Sequence, residues 1–568
     1  MKYFMLLWLC INDPFTSLEN TCVQEIMPTV YDTLQECAID AERTYNMMKA
    51  DKLYLTTFCS KKDLTAIYVI LYKELRKFLL VMYPNFKTKP FNHQLQALGC
   101  SWEKTNFAYF MEMGTGKSKV VIDNIAMLYD AGEINAAVII APKGVYRNWE
   151  RLEIPAHLPD HIETRVTTWV APSSRKKEDQ QSLDKLSNSF EGLDIFLMNV
   201  EALAHQPAVQ FLEKYLLGTL AMLAIDESTT IKSPTAKRTK NILKVCKRAS
   251  YRRILTGSPV TKNPLDLYSQ CQFLDEDLLG FSSYYAYKAR YAIEVKRHSS
   301  THAFPHIVGF RNLDELSVKL GTFSFRVLKE DCLDLPSKVY QPRYVEMTKE
   351  QEKAYNDLST FAITQLDQDI LSVTNTMTML LRLHQITCGY LPTDDGQSIP
   401  LKNNRLDELL NVIEETEGKI IIWANYRQSI FDIQKALSKK YGEETVVTYF
   451  GDTKDKDRQD IVKIFQDKDS DVRFFVANQQ TGGYGLTLTQ AHTVIYFSNN
   501  YDLEKRIQSE DRAHRIGQKN NVTYIDLISE KTVDENIVNS LRNKIDLASQ
   551  SLGEKLRSWL IEGKNKKT

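Results

Sequence analysis

The chain is poor in the residues that build stapled, fibrous or membrane-spanning proteins. Its 568 residues include only nine cysteines, 22 glycines and 17 prolines. The cysteines (Cys10, Cys22, Cys37, Cys59, Cys100, Cys246, Cys271, Cys332 and Cys388) are odd in number, widely scattered and never paired as C-x-x-C. That spacing excludes a disulfide framework, argues against a structural zinc site and leads us to expect a reducing, cytoplasmic setting rather than secretion. Glycine and proline at these levels exclude collagen-like and low-complexity chains. No apolar run reaches the roughly 18 residues of a bilayer-spanning helix, so no membrane segment is expected. Met1–Cys10 is apolar but short, carries one Lys and is followed by Asn12-Asp13-Pro14 without a small-residue cleavage site. A buried strand or helix is expected there rather than a signal peptide. Charge of one sign is lacking too: 72 basic residues balance 72 acidic ones. Coating of nucleic acid by bulk charge is therefore not expected, whereas a local basic track stays open.

What is present is an ordinary globular composition, 43% hydrophobic and 25% charged, long enough for roughly three to four units. Residues 1–85 read as a small α+β unit with a helical stretch, Ala66–Tyr83. It carries no chemical motif and is a candidate surface for protein partners. From Phe91 onward, short apolar runs alternate with helical patterns: Phe107–Met111, Ala136–Ile140, Ile195–Asn199, Met222–Ile225 and Arg253–Thr256. Such alternation indicates a parallel sheet with crossover helices. The pattern is mainly helical from Pro264 to Gly389. It alternates again at Lys419–Trp423, Val446–Phe450, Val472–Ala477, Thr493–Phe497 and Thr523–Ile528. An amphipathic helix, Val533–Ile561, and a basic tail close the chain. The expected fold class is α/β: two parallel-sheet lobes in tandem with helical insertions. The expected units are residues 1–85, 86–270 (lobe one), 271–400 (helical insertion and connector), 401–530 (lobe two) and 531–568 (helical brace and tail).

The first chemical signal is a strand, Phe107–Met111, running into Glu112-Met113-Gly114-Thr115-Gly116-Lys117-Ser118 and a helix. Glycines let backbone amides curl around an anion, and the helix N-terminus adds positive potential. Lys117 is placed for the β- and γ-phosphates of a nucleotide, and the Ser118 hydroxyl for Mg²⁺. Met111 stands where the general phosphate-loop pattern has Gly. Downstream, the apolar run Met222–Ile225 delivers Asp226 and Glu227. Asp226 is a candidate for holding Mg²⁺ and Glu227 for orienting the attacking water. Gln94, in Pro90-Phe91-Asn92-His93-Gln94, is a candidate for reading the adenine edge.

A phosphate loop alone suits a small-molecule kinase, a switch GTPase or a motor, and the second lobe discriminates. Gln508, Arg512 and Arg515 fall at i, i+4 and i+7, a spacing that predicts one helix face. Planar, permanently charged guanidinium groups suit the equatorial oxygens of a transferring phosphoryl group.

The stretch Gln508-Ser-Glu-Asp511-Arg512-Ala-His514-Arg515-Ile-Gly517-Gln518 resembles motif VI of the Swi/Snf-related branch of superfamily 2 helicases and translocases. Other motifs follow in family order: Gln94 (Q motif), Met113–Ser118 (I), Ala141–Trp149 (Ia), Asp226-Glu227 (II), Leu255–Pro259 (III), Ile421–Arg427 (IV) and Asn478–Leu486 (V). Leu335-Pro336-Ser-Lys338, Gln351–Tyr355 and Leu381–Cys388 resemble the connector and the start of the second lobe. The resemblance spans about Pro90 to Leu541 and is nearest to the compact bacterial and bacteriophage members. It implies two RecA-like lobes with ATP in the cleft between them. It also implies catalysis by Lys117, Asp226, Glu227, Arg512 and Arg515, with Gln94, Met113 to Ser118 and Gln508 binding ATP. Thr256, Gly257 and Ser258 would couple nucleotide state to lobe closure. The family usually has Asp-Glu-Ala/Gly-His at motif II, where this chain has Asp226-Glu227-Ser228-Thr229 and so lacks the histidine that ordinarily couples motifs II and III.

Nine basic residues and no acidic one lie between Ile231 and Arg253: Lys232, Lys237, Arg238, Lys240, Lys244, Lys247, Arg248, Arg252 and Arg253. Lys237, Arg238 and Lys240, with Lys143 and Arg147 of motif Ia and Thr481, Gly482 and Gly483 of motif V, are candidate phosphate-backbone contacts. Trp149 and Trp423 read as packing residues. The expected activity is ATP-driven movement along double-stranded DNA without sequence specificity. Two alternatives remain open at this point: a strand-separating or branch-migrating helicase, and a nucleotide-gated scaffold with little turnover.

Overall fold

The computed structural model describes residues 3–11, 21–31, 54–60, 85–143, 145–298, 303–367, 373–392, 398–482 and 486–553. The expected helix Ala66–Tyr83, Gly483 and the basic tail lie outside the described residues. At the N-terminus, β1 (Tyr3–Ile11) pairs antiparallel with β2 (Thr21–Tyr31) and β3 (Tyr54–Ser60) in a 3-stranded sheet, so the apolar opening run is a strand.

Lobe one is a 7-stranded sheet. Its strands are β4 (Asn106–Met111), β5 (Ala136–Ala141), β6 (Thr164–Thr168), β7 (Leu193–Asn199), β8 (Ala221–Asp226) and β9 (Tyr251–Leu255), completed by a distant edge strand, Ser324–Val327. Every pairing is parallel. Both faces are covered, which is why the central strands are apolar at successive positions. Ala108, Phe110, Val138 and Ile140 pack on one side. Phe107, Tyr109, Ala137 and Ile139 pack on the other. Fully burying each Phe or Ile contributes about 1.5–3 kcal/mol.

Within 271–400, helices that include Tyr284–Tyr291 and Leu313–Gly321 alternate with short strands that the helical pattern did not show. A hairpin of β10 (Ala292–His298) and β11 (Ala303–Phe310) precedes the edge strand β12 (Ser324–Val327), which pairs with β4. After the short helix Lys329–Cys332, β13 (Lys338–Val345) pairs with a strand near the end of the second lobe. Two long helices, Lys349–Asp367 and Val373–Thr387, and a small ribbon, β14 (Tyr390–Pro392) with β15 (Ser398–Pro400), complete the region. The edge strands escape periodicity because they are short or half-exposed, and β13 carries Pro342, which an edge position tolerates.

Lobe two is a 6-stranded parallel sheet of β13 with β16 (Lys419–Trp423), β17 (Val446–Tyr449), β18 (Phe474–Ala477), β19 (Ala491–Tyr496) and β20 (Val522–Ser529). Ile420, Ile422, Phe474 and Val476 line one core, and Ile421, Trp423, Phe475 and Ala477 the other. The final helix, Val533–Leu552, buries Ile537 and Leu541 against Leu383 and Ile528. Among the described residues, no helix is long and apolar enough to cross a membrane.

Candidate active site

In lobe one the spatial order places β4, β9 and β8 side by side. Their C-terminal ends carry the phosphate loop, Thr256–Ser258 and Asp226-Glu227, at the edge where open parallel sheets bind ligands. Register fixes the alignment, since Tyr109 sits opposite Leu255 and Leu255 opposite Asp226. The loop turns at Gly114 and Gly116, with φ of +81° and +84°, a region nearly closed to other residues. A Cβ on Gly116 would also collide with the carboxamide of Gln94. Helix α1 (Lys117–Asp130) then begins, and its first amides have no partner within the helix. The Glu112 carbonyl gathers the loop, accepting from Thr115 Oγ1 at 2.7 Å and from Lys117 Nζ at 3.5 Å. Met113 and Ser118 are half-buried in this turn.

Both ends of the Gln94 carboxamide bond to backbone around the loop. Its Oε1 accepts from the Phe91 amide at 2.9 Å, and its Nε2 donates to the Thr115 carbonyl at 3.1 Å. It therefore buttresses the phosphate loop, together with His93, whose Nε2 lies 2.8 Å from the same carbonyl.

Asp226 and Glu227 are both buried. Asp226 accepts from the Glu227 amide at 3.0 Å and from Trp149 Nε1 at 2.9 Å. Trp149 thus does more than pack: it orients the motif II carboxylate. Glu227 sits at φ 50°, a left-handed conformation that costs a non-glycine residue free energy and is held here by its surroundings. Burial pushes the carboxyl groups of both residues upward against the charge of Lys117, and Glu227 reaches about 8. Glu153 is pushed up as well, by burial and by Asp226, against Arg515.

Motif III closes over this pair. Thr256 Oγ1 reaches Glu227 Oε2 at 3.5 Å and accepts from the Ser258 amide at 3.1 Å. A Cβ on Gly257 would stand 3.0 Å from the Met113 amide nitrogen, so motif III touches the phosphate loop at a point where only glycine fits without displacement. Ser228 donates to Gln270 at 2.7 Å, and Gln270 donates to the Pro259 carbonyl at 2.9 Å. Motifs II and III are therefore linked without the family histidine.

The second lobe brings its arginines to the same place, though not on a helix. Helix α2 (Leu503–Glu510) carries Gln508 but ends before Arg512 and Arg515. The single-face expectation is thereby corrected. The amides tighten to i−3 partners, Arg512 to Ser509 O at 3.4 Å and Ala513 to Glu510 O at 3.2 Å. The helix is not resumed because Arg512 O is taken by the Leu488 amide at 2.9 Å, Ala513 O by Gln518 Nε2 at 3.1 Å and His514 O by Lys329 Nζ at 2.9 Å. The resulting turn aims both guanidinium groups at one acceptor, since Arg512 and Arg515 each donate to the Leu486 carbonyl at 3.1 Å. Arg515 lies against the phosphate loop: a Cβ on Gly114 would be 3.9 Å from its Cβ. The charge of Arg512 acts on Glu227.

Lys329, on the connector, was not anticipated. Its buried Nζ pairs with Asp511 at 2.6 Å, and its amide donates to Glu112 at 2.8 Å. Gly114 and Asp511 are thus held about one side chain.

The basic stretch divides. Lys237 and Lys240 are exposed on helix Lys237–Val245, as is Lys244, at i, i+3 and i+7, while Arg238 is half-buried. Arg253 is fully buried and donates to Asn124 Oδ1 and the Ser101 carbonyl, so it is a structural residue. Arg252 and Lys247 face Asp275 and Glu276. Lys143 is exposed, as is Arg147, which donates to the Tyr146 hydroxyl. Thr481 and Gly482 end the short helix Gln479–Gly482. Among the described residues, no cluster of three or more His, Cys, Asp or Glu side chains could cage a metal.

The SNF2-related domain model matches residues 93–390, and that of the helicase conserved C-terminal domain matches residues 401–517. An uncharacterized ATP-dependent helicase, MG018, of Mycoplasma genitalium is 25% identical over 78% of this chain and 40% of its own length. The putative ATP-dependent helicase/translocase YwqA of Bacillus subtilis is 26% identical over 79% of this chain and 47% of its own. The chain thus spans less than half the length of these curated relatives. The solved SWI2/SNF2 ATPase core of Sulfolobus solfataricus in complex with dsDNA is 24% identical, covering 80% of this chain and 91% of that one, with a TM-score of 0.37. With the SNF2-related match covering more than half of its length, the chain belongs to the SNF2-related family.

Proposed function

We propose that this chain is a nucleic-acid-stimulated ATPase that translocates along double-stranded DNA without reading its sequence. The observation that carries the reading is the convergence of a glycine-turned phosphate loop, a buried acidic pair and two arginines from the opposite lobe. Lys117 would meet the β- and γ-phosphates, Glu227 would orient water, and Arg512 and Arg515 would stabilise charge developing on the transferred phosphoryl group. Since these groups sit on separate lobes, turnover requires a closed cleft.

The donor set fits Mg²⁺. Ser118 and Asp226 offer oxygen ligands, and burial leaves the Asp226-Glu227 pair short of compensating positive charge. A cation held by few protein ligands and the substrate phosphates is the usual arrangement for Mg²⁺. Bound there, it would neutralise charge on the phosphates.

The exposed face of Lys237, Lys240 and Lys244 supports backbone contact with DNA, as do Lys143, Arg147 and the motif V residues Thr481 to Gly483. We expect ATP hydrolysis to be stimulated by duplex DNA above single-stranded DNA, RNA or no nucleic acid, and to be abolished by Lys117→Ala or Glu227→Gln. Equal rates in all four conditions would overturn the reading. Triplex displacement without fork unwinding separates translocation from strand separation.

A further inference from the structure

Motif II ends in Ser228-Thr229, and the two hydroxyls face different partners. Ser228 turns into lobe one, toward Gln270 and the carbonyl of Pro259. Thr229, 3% exposed, turns toward the other lobe and donates to Glu504 Oε1 at 3.0 Å. The same oxygen accepts from Gln508 Nε2 at 3.2 Å. Glu504 Oε2 lies 3.9 Å from Lys232 Nζ, again across the cleft. The position of Glu504 is fixed by the start of α2, where Asp502 Oδ1 accepts from the Glu504 amide at 3.1 Å and the Lys505 amide at 3.4 Å.

We infer that Glu504 is a positioning residue that ties motif II to the arginine-bearing segment across the cleft, through Thr229 on one side and Gln508 on the other. The inference rests on the proposed ATPase reading. A threonine hydroxyl is too short to span two lobes, and the carboxylate of Glu504 supplies the missing length. Its negative charge also acts on Glu227, so the tie senses the same cleft in which water would be oriented. A hydrogen bond to a charged group, made only when the lobes are together, favours the closed state and leaves nucleotide binding within lobe one untouched.

The test is a double-mutant cycle in the full chain with Thr229→Val, Glu504→Ala and the pair, read as DNA-stimulated kcat and as the KM for ATP. Each single variant should lower kcat by about tenfold with KM held within about twofold. The pair should be no worse than Glu504→Ala alone, because both changes break one link. Glu504→Gln keeps an acceptor oxygen and should recover most of the loss. Multiplicative losses in the pair, or a KM that rises in step with the fall in kcat, would overturn the inference.

Fluorescence energy transfer between dyes on the two lobes gives a readout independent of turnover. Thr229→Val and Glu504→Ala should each lower the transfer efficiency of the nucleotide-free protein, and unchanged efficiency in both would also overturn the inference. If the unaltered chain hydrolyses no ATP with any nucleic acid, the proposed function falls. The tie between the lobes is then judged on the transfer measurement alone. If Glu504→Ala does not fold, Thr229→Val and Glu504→Gln carry both measurements.

Discussion

Glu227 is held away from its preferred state in both backbone and charge. Its carboxyl titrates near 8, against 4.5 for the free side chain. The folded protein therefore retains a proton that the unfolded chain releases. The stability this contributes is full below about pH 4.5 and is lost as the pH rises through about 8. In the absence of nucleotide and Mg²⁺, Glu227→Gln should gain melting temperature on the unaltered protein across that window. A difference that stays flat with pH would contradict the assignment. Nucleotide with Mg²⁺ should release protons on binding at neutral pH, measurable by calorimetry in buffers of different ionisation enthalpy. The placement of Lys117, Asp226 and Glu227 just beyond buried strands was legible in the sequence because each belongs to a local strand-to-loop signature. Trp149, Lys329 and Glu504 were not, since their partners Asp226, Asp511 and Thr229 lie 77, 182 and 275 residues away. Only the fold brings such pairs together.

Among the elements, the turn after α2 decides how the arginines are delivered. Gln518 holds it with one carboxamide, whose Nε2 reaches the carbonyls of Thr489, Ala491 and Ala513. Gln518→Ala should lower kcat by tenfold or more with little change in the KM for ATP, at a stability cost of about 1–3 kcal/mol for the carbonyls left unpaired. Rapid-quench single-turnover assays and denaturant melts measure the two effects separately. Lys329→Met strands Asp511 as a buried charge, and the expected loss is larger, about 3–5 kcal/mol, seen as a lower denaturation midpoint. The motif VI spacing set Arg512 and Arg515 on one helix face, whereas both guanidinium groups meet the Leu486 carbonyl from a turn beyond the helix. Helical periodicity records which residues share a face and is blind to carbonyls taken by other elements. The buried central strands were readable for the opposite reason: β5 is apolar throughout and β8 is apolar up to Asp226 because both of their faces are covered.

On the scale of the whole molecule, neutral net charge and a basic helix face coexist. Replacing Lys237, Lys240 and Lys244 by alanine should reduce the salt dependence of duplex binding by about 0.9 in the log–log slope for each phosphate no longer neutralised. Basal hydrolysis without DNA should not change. Titrations at several salt concentrations with two unrelated duplex sequences would check both this and the absence of sequence preference. The division into two parallel-sheet lobes was visible in the alternation of apolar runs, whereas the edges of the sheets were not. Those edges have a mechanical consequence. Among the described residues, the connector leaves lobe one from the edge strand β12, which pairs with β4, and enters lobe two through the edge strand β13, which pairs with β20. Tension along the connector is therefore delivered to β4, the strand that ends in the phosphate loop, before it reaches β9, β8 and the strands beyond them.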